Sequence, residues 1–202
     1  NARKQAPELA LRTLLACVAQ AAAKVSRRIE PLLSVVFPDF FVRVAVRVYD
    51  LDADGASHPT TSTGPICHCL ACGTLTTQCL SECKACGGRE IAVGGPFFLG
   101  ASCDHLFLSA LLKRLEVSNG ASAPRPEQAF GSIGVLRPLL QSLLEEAAQA
   151  TSMIAFPVPA CCRLLNSKPL AVEKLLRGWV SSGRTAVIAH WDPCSIKIRD
   201  VD

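Results

Sequence analysis

The stretch CHCLACGTLTTQCLSECKACGG, residues 67 to 88, carries six of the chain's eleven cysteines. Three chemistries compete for such a concentration of thiols: a metal site, a disulfide knot and a redox centre. Cys69 and Cys72 form one C-x2-C pair, and Cys83 and Cys86 form a second. Gly73 follows the first pair, and Gly87 and Gly88 follow the second. Two thiolates spaced this way reach one ion when the backbone between them turns tightly. Small residues after the second cysteine leave room for backbone N–H groups to point at sulfur and spread its charge. Two such knuckles give a tetrahedral four-sulfur site, and zinc fits it without redox chemistry. Four thiolates leave no open position for substrate, so the expected role is structural, with Cys69, Cys72, Cys83 and Cys86 as ligands.

The competing readings fit less of the chain. A disulfide scaffold calls for an even count in a short secreted chain. Here the count is odd, and Cys17, Cys161 and Cys162 lie in apolar contexts that suit a reducing compartment. A thioredoxin-like centre uses one C-x-x-C at a helix start after a strand, not two facing pairs. Cys67 stands too close to Cys69 for both to ligate one ion in a knuckle, and His68 reads as an exposed linker histidine.

Half of the residues are hydrophobic and 19% are charged, which is a globular composition. No apolar run reaches the roughly eighteen residues that span a bilayer. No signal peptide is visible, and no membrane partner is expected. The chain starts with Asn and is read as a segment of a longer one. Its charge is uneven: residues 1 to 50 hold eight Lys/Arg against four Asp/Glu, and residues 51 to 100 hold two against four. Basic ends permit a polyanionic partner without demanding one.

Leu11, Leu14, Leu15 and Val18 recur at helical spacing, so residues 8 to 24 are expected to be a helix. PLLSVVF (31–37) suits a buried strand ended by a Pro-Asp turn. FFVRVAVRVYD (40–50) alternates strictly, with Val42, Val44, Val46 and Val48 on one face. Arg43 and Arg47 share the opposite face, about 13 Å apart by ideal strand rise. They are either solvated arginines or phosphate contacts. The Gly/Pro-punctuated stretch 51–66 is read as a domain boundary. Beyond the cysteines, Asp104 is placed to cap a helix to about Leu115, and 118–134 reads as a loop. A helix is expected over about 136–150, another turn of helix starting within 161–166, a helix over 169–181 ending at Gly183, and a strand over 184–190. Helix, turn, helix and strand at this end suggest a small winged-helix-like unit.

These pieces together resemble the C-terminal part of the tRNA (guanine-26-N2)-dimethyltransferase family. LALRTLL (9–15) is similar to a helix near the end of its methyltransferase domain. PLLSV with FFVRVAVRVYD is similar to its closing strands, and CLACG…CKACGG to its zinc-binding pairs. GGPFFLGASCDHLFLSALL and AHWDPCSIKIRDVD are similar to a further segment and to the family's tail. Phe98, Cys103, Ile188 and Ile198 depart from the family's usual Trp, His, Arg and Thr. The resemblance implies an α/β architecture: the C-terminal elements of a Rossmann-like methyltransferase sheet (1–66), then a small α+β zinc-containing tRNA-binding domain (67–202). It also implies S-adenosylmethionine, bound by a region upstream of this chain, since no Gly-rich loop after a strand opens the sequence. No catalytic residue is therefore assigned. The implied share of this segment is to grip tRNA through shape and phosphates, with Arg43, Arg47, Arg177, Arg184, His190 and Lys197 as candidate contacts. The family setting is intracellular, nuclear or mitochondrial. The alternatives are a non-catalytic zinc module that binds RNA or protein, and a thiol oxidoreductase. Cys103, at a helix start, is read as a partly buried spectator, as is the Cys161–Cys162 pair.

Overall fold

The computed structural model describes residues 2–37, 40–50, 63–117, 133–149, 154–168 and 170–198. The chain opens on α1 (Ala2–Ala23), where Leu11, Leu15 and Ala19 lie on one stripe and are buried. Lys24 to Ser26 turn the chain, with Ser26 at φ 54°, into β1 (Arg27–Phe37). β1 pairs antiparallel with β2 (Phe41–Asp50) through a turn closed by Phe40 N–H on Phe37 C=O at 3.1 Å.

β1 is buried on both faces, as its apolar run predicts. Val36 joins Leu11, Leu15 and Ala16 of α1, while its neighbour Val35 joins Leu108, Leu115, Leu140 and Leu143. Those leucines belong to α2 (His105–Val117) and α3 (Ile133–Gln149). β2 is half-covered instead: Val42, Val44 and Val46 pack on the α1 side, and Arg43, Ala45 and Arg47 are exposed. The backbone groups that β1 does not spend on β2 find other partners. Leu32 C=O accepts from Asp104 N–H at 3.1 Å, and Val36 N–H donates to His190 Nε2 at 3.1 Å.

A second sheet has the order β4-β3-β5, from β3 (Thr63–Cys69), β4 (Leu75–Thr76) and β5 (Ile91–Phe98). GGPFF (94–98) runs inside β5, because β3 supplies the ladder that Gly and Pro do not favour by propensity. β3 starts at Thr63, so a division at 66/67 falls within a strand, while 51–62 lies outside the described residues. The loop expected at 118–134 also lies almost wholly outside them.

The third sheet, β6-β8-β7, uses β6 (Phe156–Pro157), β7 (Ala186–Ala189) and β8 (Asp192–Ile198). Before β7 come α4 (Val158–Leu164) and α5 (Val172–Ser181). Their apolar residues Val158, Cys162, Leu175, Leu176 and Trp179 close over Ile196 and Ile198 of β8. Gly183, at φ 76°, ends the α5 segment in the left-handed conformation that glycine adopts without strain. One cluster ties the whole together: Leu11, Leu15, Ile29, Val36, Phe98, Ala155, Ala189 and Trp191 pack as a single core. Among the described residues no helix is long and apolar enough to cross a membrane.

Candidate metal centre and buried charge cluster

The two cysteine knuckles have the same backbone. Gly73 N–H donates to Cys69 C=O at 2.8 Å, and Gly87 N–H donates to Cys83 C=O at 2.8 Å. Cys69 N–H reaches Thr74 C=O at 2.9 Å, and Cys83 N–H reaches Gly88 C=O at 2.8 Å. Gly73 and Gly87 sit at φ 80° and 71°, where a side chain is strained. This folding back brings the Sγ atoms of Cys69, Cys72, Cys83 and Cys86 within 4.8 Å of one another. Cys69 and Cys86 sulfurs are 3.6 Å apart, and Cys72 and Cys83 sulfurs 3.7 Å. A tetrahedron of sulfurs around zinc has edges of about 3.8 Å. The donor set and its spacing therefore fit one ion. A Cβ on Gly88 would lie 3.2 Å from Cys86 Sγ and 3.3 Å from Cys69 Sγ, so the cluster occupies the space a side chain would take.

The thiols share their protons unevenly. Burial pushes Cys72 up, but hydrogen bonds with Thr74 and with the Cys86 and Cys69 sulfurs outweigh it and draw the thiol down to about 7. At Cys86 the Gly88 N–H draws the thiol down, yet Cys72, burial, Cys69 and Cys83 push it up to about 12.

The other two cysteines of the stretch lie outside the four-sulfur cluster. Cys67 and Cys79 are joined in a disulfide with Cα atoms 5.5 Å apart, whereas Cys17, Cys161 and Cys162, the cysteines expected to be unpaired, are free. His68 is a strand residue paired with Leu75 and Ala92, and its Nε2 is buried without a hydrogen-bond partner, so it is not an exposed linker histidine. Cys103 is a spectator: burial pushes its thiol up to about 11, and its sulfur accepts from Ser34 N–H at 3.3 Å.

The six candidate RNA contacts separate into two groups. Arg43, Arg47, Arg177 and Arg184 are exposed. Arg43 lies over the Phe41 ring at 5.3 Å, and Arg47 donates to Tyr49 OH at 3.1 Å on the same face of β2. His190 and Lys197 are interior groups, and direct phosphate contact through them is corrected. The Lys197 side chain is 5% exposed, with Nζ 2.9 Å from Glu146 Oε2 and 3.4 Å from Glu8 Oε2. The His190 side chain is 2% exposed, with Nδ1 2.8 Å from Glu146 Oε1. Val36 N–H donates to its Nε2, which leaves Nδ1 to make the hydrogen bond with Glu146. Glu8 also holds Arg12 at 2.9 Å, and Arg12 donates to Phe98 C=O at 2.7 Å and to Gly100 C=O at 3.3 Å.

This cluster of Glu8, Arg12, Glu146, His190 and Lys197 joins α1, α3, the β7–β8 turn and β8. Burial raises the Glu146 carboxyl, but the His190 hydrogen bond and the Lys197 charge outweigh it and hold it below the ordinary range. Burial alone would lower Lys197, and Glu8 and Glu146 instead raise it. Sequence reasoning missed the cluster. Its only local trace is the Glu8–Arg12 spacing on the same helical stripe as Leu11 and Leu15.

Fold and site define a mixed α/β chain of small sheets carrying a four-cysteine cluster of the kind that holds a metal ion. The family model described as N2,N2-dimethylguanosine tRNA methyltransferase matches residues 2–200, and the chain belongs to that family. A tRNA (guanine(26)-N(2))-dimethyltransferase of Halobacterium salinarum is 30% identical over 61% of this chain and 33% of its own. The enzyme of that name from Drosophila melanogaster is 28% identical over 94% of this chain and 35% of its own. A mitochondrial one from Saccharomyces cerevisiae is 25% identical over 94% and 36%. The chain thus spans about a third of the length of these curated relatives. Trm1 from Pyrococcus horikoshii, solved with S-adenosyl-L-methionine, shares the fold at a TM-score of 0.65 and 21% identity, over 96% of this chain and 47% of that one.

Proposed function

We propose that this chain is the C-terminal part of an S-adenosylmethionine-dependent enzyme that dimethylates N2 of guanine-26 in tRNA. The family match along residues 2–200 is the observation that carries this reading. In it, the exocyclic amine of an unstacked guanine attacks the methyl group of S-adenosylmethionine, twice. The cofactor is held by the part of the enzyme upstream of this chain.

The contribution of the present residues is positioning. α1 and the β1–β2 hairpin belong to the end of the methyltransferase sheet, and β3 and the elements after it belong to the C-terminal domain. Cys69, Cys72, Cys83 and Cys86 hold a structural zinc ion that keeps the two knuckles folded. The α4–α5 pair with the β7–β8 hairpin is winged-helix-like. Arg43, Arg47, Arg177 and Arg184 contact tRNA phosphates. His190 and Lys197 act at one remove, by joining the tail to α1 and α3. The protein works inside the cell, in the nucleus or the mitochondrion, as the mitochondrial relative does.

The test is methyl transfer by the full-length protein to a tRNA transcript with guanine at position 26 and to one with adenine there. Transfer to the first alone, ending at N2,N2-dimethylguanosine, supports the reading. Equal labelling of both refutes the position, and tRNA binding without transfer favours a non-catalytic module.

A further inference from the structure

Four sulfurs of the stretch 67–88 converge and two do not, and the two form a bond that closes around part of the cluster. The Cys67–Cys79 disulfide spans a sequence separation of 12, and both sulfurs of the first knuckle, Cys69 and Cys72, lie inside that loop. Cys67 is fixed in β3 and 1% exposed, whereas Cys79 is exposed on the segment leading to the second knuckle. Little else ties that segment down. Gln78 N–H donates to Thr76 Oγ1 at 3.0 Å, and Lys84 Nζ to Gln78 Oε1 at 3.0 Å, both in solvent. Cys67, Cys69 and Cys83 line one cleft of about 230 Å³, so the disulfide and the cluster share a wall. The other nine cysteines are free.

We propose that Cys67 and Cys79 are a redox modification site for low-molecular-weight disulfides, glutathione disulfide being the probe, and that their state sets how firmly the four-cysteine cluster keeps its metal. The inference rests on the metal reading above. Two effects give the bond this control. It removes conformational freedom from the metal-free loop, so opening the first knuckle gains less entropy. It also locks away a thiol two residues from Cys69 that would otherwise compete for the ion.

Oxidation starts at the exposed partner. The Cys79 thiolate attacks one sulfur of the small disulfide, whose S–S bond breaks and releases one small thiolate. Cys67 sulfur then attacks Cys79 sulfur in the mixed disulfide and expels the second. The protein loses two electrons and two protons, and two small thiols carry them away. The reverse sequence, with the small thiol as reductant, restores both protein thiols.

The experiment uses the zinc-loaded full-length protein, oxidised with glutathione disulfide or reduced with a phosphine. Zinc transfer to a chromogenic chelator is timed, and alkylation with peptide mapping identifies the linked cysteines. The expected result is a Cys67–Cys79 linked peptide in the oxidised form alone, and zinc release about ten-fold faster after reduction. Cys79→Ser, at an exposed position, should release zinc at the fast rate under both conditions. Equal zinc content with equal release rates overturns the inference while leaving the metal reading intact. Linkage of the ligand cysteines instead of Cys67 and Cys79 also overturns it. Absence of zinc from both forms overturns the metal reading and the inference with it.

Discussion

At Gly88 a single hydrogen stands where a side chain would crowd the four-cysteine cluster. Gly88→Ala puts a Cβ 3.1 Å from Ala71 Cβ and within 3.3 Å of the Cys86 and Cys69 sulfurs. The expected outcome is a loss of bound zinc in elemental analysis, with the protein core still folded by circular dichroism. Lys197 and Arg43 make a contrasting pair. Lys197→Met leaves the buried Glu8 carboxylate to Arg12 alone and the buried Glu146 carboxylate to His190 alone, which should cost about 3–5 kcal/mol in urea unfolding. Arg43→Ala should barely change stability, yet lower the slope of log tRNA affinity against log salt by about 1. The opposite assignment of effects would return Lys197 to the RNA surface. Glu146 has a pH signature. Its carboxyl lies below its ordinary value of 4.5, so its contribution is complete above that value and is lost as pH falls through the depressed one. Unfolding free energy measured downward from pH 4.5 should fall in wild type, and Glu146→Gln should flatten that limb while lowering stability at neutral pH.

Elements here form wherever a local pattern and a distant partner agree. Asp104 shows the agreement at a helix start: its Oδ1 accepts Phe107 N–H at 2.6 Å, and its own N–H reaches Leu32 C=O. Asp104→Ala should cost about 1 kcal/mol of thermal or chemical stability, and Asp104→Asn much less, because the amide oxygen still caps. β2 was legible residue by residue, since a half-covered strand writes its alternation into the sequence. β5 and β8 were not. Gly94, Gly95 and Pro96 in one, and Pro193 in the other, are poor strand formers, and the ladders with β3 and β7 override that preference. The helix starts at 133 and 172 lie about three residues from the expected 136 and 169, whereas α1 starts six residues before the expected 8.

For the molecule as a whole, the decisive object is the core that runs from Leu11 to Trp191. Because α1, β1, β5 and the β7–β8 turn all contribute to it, the described parts should unfold together. Leu15→Ala, at a fully buried position, should cost about 2–5 kcal/mol, and tryptophan fluorescence and far-ultraviolet circular dichroism should trace the same single transition. Two separate transitions would show that the N-terminal helix and hairpin stand apart from the rest. The division of information follows from distance along the chain. The four-cysteine cluster, the β2 alternation, the α1 stripe and the Asp104 cap were readable from sequence, because each rests on residues a few positions apart whose geometry a single turn, strand or knuckle dictates. The burial of His190 and Lys197, the company they keep with Glu8, Glu146 and Val36, and the choice of Cys79 as partner for Cys67 were decided only by the fold. A basic residue carries the same charge whether it faces water or two carboxylates, and only packing of remote segments determines which it meets.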